Sequence, residues 1–184
     1  MASIEGMILR HYFELQGFLV RQCLPANSHG IESLQVVNPN KKEDEDETLS
    51  PILFSSDLPK LRSALVWLPG WSALKITPGL LKNAAELSKF IDKRLAERKN
   101  PAEFDSTDHM KIIVVPAVPM EEPHRSETIE LLKARGISSM LSLKGVLQDL
   151  IARLDVRHPR EGLQLLQILS NFDLLKTTQM ELFR

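Results

Sequence analysis

The stretch that decides the fold is SALVWLPGW, at residues 63–71. Residues 64–68 are apolar on both faces of the predicted strand, which is typical of a short strand buried in the centre of a sheet. Pro69 and Gly70 then break the extended run and predict a turn. The sequence therefore predicts a central strand that leads into a turn carrying Trp71.

Upstream of this strand, the sequence predicts a helix that leads into a β-hairpin. Apolar residues over 4–16 fall mostly on one helical stripe, and Gly17 follows as the helix stop. Residues 18–24 and 31–37 have the pattern of two strands separated by a turn. Residues 52–54 are a candidate for a short edge strand.

Downstream, helices and strands alternate. Thr77 is a candidate cap and Pro78 occupies the first position of a predicted helix. The remaining predicted elements are a buried strand at 111–115, a helix that starts at Ser126 and ends at Gly136, a short strand at 137–141, and closing helices at 143–154 and 161–175. This order predicts a single α/β domain over residues 1–184, with a mixed sheet flanked by helices.

Composition excludes several classes of function. The formal net charge of −1 gives no global signal for nucleic-acid binding. The single cysteine excludes an intrachain disulfide and a zinc site built from several cysteines. The five histidines lack the His-x-x-x-His spacing of a metal pair, and the eight glycines form no phosphate-binding loop. No cofactor is therefore expected.

The chain is predicted to be cytoplasmic and not to enter a membrane. Its first residues carry Glu5 and no long apolar run, so they do not resemble a signal peptide. No run approaches the roughly 18 apolar residues that a membrane span requires. Residues 41–50 begin with a run of charged side chains, and we interpret them as a flexible loop, not as a divalent-cation site.

Three segments carry short motifs. YFELQGFLVR at residues 12–21 joins a predicted helix through a glycine to a Phe-x-Val-Arg strand. Residues 31–39 end in Asn-Pro, and residues 63–71 end in Gly-Trp. Together these motifs resemble the restriction-endonuclease-like, or PD-(D/E)XK, superfamily. In that family the first helix ends at a glycine before such a strand, the next strand ends near Asn-Pro, and a later strand ends Glu-x-Lys-Gly-Trp.

The resemblance implies a magnesium-dependent nuclease fold in which the catalytic positions have been replaced. Alignment on Asn38-Pro39 places Ser33 on the acidic position. Alignment on Gly70-Trp71 places Trp67 on the glutamate position and Pro69 on the lysine position. None of these side chains can supply a carboxylate oxygen or an ammonium group. We therefore expect no catalytic residues and no metal site.

The alternative is a magnesium-dependent DNA nuclease whose acidic ligands have moved. Its candidate ligands are Glu5, Glu14, Glu32 and Asp57. Two or more of them would have to project from neighbouring elements to share one magnesium ion. Strand alternation, however, points Glu32 to the face opposite Ser33.

A weaker candidate site is a basic face for nucleic acid. Its members are Arg62, Lys75, Lys82, Lys89 and Lys93, and the competing interpretation is an ordinary solvated helix face balanced by acidic neighbours. Together these observations predict a non-catalytic binding or assembly component. A protein partner or a homo-oligomer is expected, and nucleic acid is a further possible partner.

Overall fold

A computed structural model describes residues 3–23, 32–41, 49–69, 77–83, 110–119 and 121–153, together with Gln164. The helices among them are α1 (Ile4–Leu15), α2 (Pro78–Asn83), α3 (His124–Ala134) and α4 (Leu143–Ala152). The strands are β1 (Leu19–Cys23), β2 (Glu32–Val37), β3 (Ile52–Leu53), β4 (Ser63–Leu68), β5 (Met110–Val115) and β6 (Ser139–Ser142). A short 3-10 helix, Leu58–Lys60, lies between β3 and β4.

The strands form one mixed sheet in the order β1-β2-β4-β5-β6-β3. The pairs β1–β2 and β2–β4 are antiparallel, and the pairs β4–β5, β5–β6 and β6–β3 are parallel. The register aligns one residue from each strand in a row across the whole sheet: Cys23, Ser33, Trp67, Ile113, Met140 and Ile52. The antiparallel hairpin therefore adjoins the parallel part of the sheet at β4.

Each face of the sheet is covered by its own helices. On the front face, α1 and α4 pack on alternate residues of the strands, including Leu34, Val66 and Ile112. On the back face, α3 packs on the other residues, including Trp67, Ile113 and Met140. Successive residues of a strand point to opposite faces, so β2 and β4 contribute to both layers.

The start and end of α1 follow from its sequence. The Ser3 hydroxyl caps the helix by accepting a hydrogen bond from the Gly6 N–H at 2.9 Å. The chain leaves the helix through Gly17, whose φ of 87° is in the left-handed region that favours glycine. Leu9 and Phe13 lie on the helix face that is buried against the sheet. The predicted helix–hairpin unit is confirmed.

The predicted α/β class, a mixed sheet flanked by helices, is confirmed. The finer assignment to a restriction-endonuclease-like fold stays a prediction, as does the single domain over residues 1–184. Most of the predicted charged loop, residues 42–48, lies outside the described residues, as does the closing helix at 161–175 apart from Gln164.

Two predicted boundaries around α3 were wrong. The helix begins at His124, because backbone bonds from Arg125 N to Glu121 O and from Glu127 N to Pro123 O already place Ser126 inside it. The strand after it begins at Ser139, because the Ile137 N–H still bonds to a carbonyl of the helix, that of Leu132, at 3.0 Å. The predicted stop at Gly136 is confirmed by its φ of 75°.

Candidate functional site

The positions that the resemblance aligned with a nuclease centre lie next to one another. Ser33 on β2 is the direct cross-strand partner of Trp67 on β4, and both belong to the row that crosses the back face. Pro69 follows the end of β4 and is half-buried. The position aligned through Asn38-Pro39 and the position aligned through Gly70-Trp71 are therefore neighbours in the sheet.

This point is packed and apolar. Ser33 and Trp67 are each only 1% exposed. The Trp67 ring belongs to the back-face cluster with Ile113, Leu132 and Ile137. Among the described residues, the Ser33 hydroxyl has no hydrogen-bond partner. The side chains here can fill space, but they cannot bind a divalent cation, which requires anionic or carbonyl oxygens.

Glu32 lies on the front face, as strand alternation predicted. It is 9% exposed, and its carboxylate is satisfied by protein donors. The Ser3 N–H donates to Oε2 at 3.0 Å, and the Gln22 side-chain amide donates to Oε1. This carboxylate therefore ties together the start of α1, β1 and β2.

Gly6 makes room for this carboxylate. A Cβ atom on Gly6 would lie 2.6 Å from Glu32 Cδ and 2.9 Å from Gln22 Nε2. Such distances are far below van der Waals contact, so any larger residue would displace the Glu32 side chain. Sequence reasoning missed both Gly6 and Gln22. The pattern carries no signal for them, because the contact depends on how α1 crosses the hairpin.

The other candidate ligands have separate local environments. Glu14 accepts a hydrogen bond from Arg10 Nε at 2.8 Å and lies 3.6 Å from His11 Nδ1. Asp57 Oδ2 accepts a hydrogen bond from Phe54 N at 3.0 Å, beyond the end of β3. Glu5 is in the first turn of α1. Within the described part of the chain, no three His, Cys, Asp or Glu side chains are grouped closely enough to hold a metal ion.

The predicted basic face is only partly described. Lys75, Lys89 and Lys93 lie outside the described residues, and Arg62 directly precedes β4. Lys82 on α2 forms an ion pair with Glu127 on α3. This ion pair links the two helices. The basic face for nucleic acid stays a prediction.

A shallow cleft, too narrow to enclose a water molecule, lies between α3 and β6. It is lined mainly by apolar side chains, including Ile129, Leu132, Ile137 and Met140, with Lys133 and Ser138 also present. Neither Ser33 nor Trp67 is among the described residues that line it. Among the described residues, Lys133 is the one charged side chain that lines the cleft, and the candidate carboxylates are not part of this lining.

Within the described ranges, no helix has both the length and the apolar character needed to cross a membrane. Comparisons with known proteins add no relative from which a role could be inferred. No protein-family model, curated protein or solved structure matches this chain.

Proposed function

We propose that this chain is a non-catalytic member of the restriction-endonuclease-like superfamily and acts as a binding or assembly component. The observation that carries the proposal is the direct pairing of Ser33 with Trp67. Carboxylates that share a metal must project from neighbouring strands on one face of the sheet. The aligned positions have that relationship, but a hydroxyl and an indole occupy them.

Burial supports the same conclusion. The indole of Trp67 fills the space beside Ser33, and neither side chain reaches solvent to more than 1%. A nuclease must admit a phosphate group, its metal ions and the attacking water to this place. An apolar packed layer excludes all of them.

The contacts of Glu32 weigh against relocated ligands. Both of its oxygens accept hydrogen bonds from the protein, and it faces α1 on the other side of the sheet from Ser33. Two of the roughly four lone-pair positions of this carboxylate are already occupied, by Ser3 N and by Gln22 Nε2. The Glu32 carboxylate is thus engaged in holding α1 against the hairpin, which weighs against a role as a relocated magnesium ligand.

The deciding experiment combines magnesium titration calorimetry with a cleavage assay on single- and double-stranded DNA. We expect the wild-type protein to show neither binding nor cleavage. Saturable binding together with cleavage that disappears in Glu5→Ala or Glu32→Ala would overturn the proposal and establish a magnesium-dependent nuclease with moved ligands.

A reversal variant tests the alignment itself. Ser33→Asp, Trp67→Glu and Pro69→Lys together would restore the family's acidic, glutamate and lysine positions. We expect this triple variant to gain magnesium binding, with Ser33→Ala/Trp67→Phe as the matched control that gains none. Circular dichroism before each titration separates loss of folding from a failure to bind.

The assembly part of the proposal is tested separately by light scattering after size-exclusion chromatography. A self-assembling chain would elute with a mass above that of one chain, and the mass would rise with concentration. A constant single-chain mass over the accessible concentration range would exclude the homo-oligomer and leave only a different protein or nucleic acid as partner.

A further inference from the structure

We draw no further inference here: the strongest candidate, the half-exposed apolar patch of Leu19, Val37 and Leu65 on the back face of β1, β2 and β4, is a sheet face for which nothing in the structure shows what covers it.

Discussion

The front and back faces of the sheet treat their buried polar groups in opposite ways. Glu32 and Ser33 are adjacent in β2, and both are buried. On the front face, both oxygens of the Glu32 carboxylate accept hydrogen bonds from protein groups. On the back face, the Ser33 hydroxyl has no such partner in the described part of the chain and lies opposite Trp67.

This difference shows under which conditions β2 can carry a buried charged side chain. A buried carboxylate is tolerated when donors replace its lost hydration, as Ser3 and Gln22 do for Glu32. At Ser33 the cross-strand partner is Trp67, whose ring belongs to the apolar cluster, so this ring would supply no charge to balance a carboxylate there. The back face is therefore organised for packing, and substitutions on the two faces should have different effects on stability.

The largest effect is expected from removing the ring that fills the back face. Trp67→Ala should destabilise the protein by about 3–5 kcal/mol, because removal of the buried indole leaves a cavity that the sheet cannot close. Urea unfolding followed by far-UV circular dichroism measures this loss. Trp67→Phe is the control and should lose less, since it keeps an aromatic ring. A loss of under about 1 kcal/mol in the alanine variant would mean that the ring does not hold this layer together.

On the front face, Gly6→Ala should destabilise the protein by about 1–3 kcal/mol, because the new methyl group overlaps the Glu32 carboxylate. Gly145→Ala is the matched control. Its Cβ would lie 3.6 Å from Ser142 Cβ, an ordinary contact, and alanine favours the helix by up to about 1 kcal/mol.

Combining Gly6→Ala with Glu32→Ala shows whether the overlap is the cause. The double variant should be less destabilised than the sum of the single variants, because removal of the carboxylate leaves room for the methyl group. Additive losses in urea unfolding would mean that Gly6 is required for another reason.

The sequence predicted individual elements better than the contacts between distant elements. The pattern at 63–68 located a central strand, and alternation placed Glu32 and Ser33 on opposite faces, because both are local properties of a strand. It did not predict the parallel pairing of β3 with β6, which joins segments far apart in the chain. Nor did it find the contact of Glu32 with Ser3, which spans 29 residues.

A smaller effect of opposite sign is expected at Ser33. Ser33→Ala removes a buried hydroxyl that has no hydrogen-bond partner among the described residues, so it should leave stability unchanged or raise it by about 1 kcal/mol. Ser139→Ala is the control, because the Ser139 hydroxyl is buried and donates to the Ser50 carbonyl at 2.8 Å. That variant should lose about 1 kcal/mol in the same unfolding experiment. Equal losses in the two variants would remove the contrast between the two faces.

On the front face, ionisation of Tyr12 should lower the stability of the protein at high pH and leave it unchanged near neutrality. Burial, assisted by the negative charge of Asp149, raises the pKa of Tyr12 to about 12. The unfolded chain loses this proton near pH 10, whereas the folded chain keeps it to about pH 12. The stabilising contribution of the buried hydroxyl is therefore fully present below about pH 10 and is lost as the pH rises to about 12.

Tyr12 is the single tyrosine of the chain, so the phenolate absorbance band reports on it alone. The folded protein should titrate with a midpoint near 12, and urea-unfolded protein near 10. Tyr12→Phe should lack the band and the loss of stability that depends on it. A folded-state midpoint near 10 would show that the hydroxyl reaches water. In that case α1 would not shield Tyr12 from water on the front face.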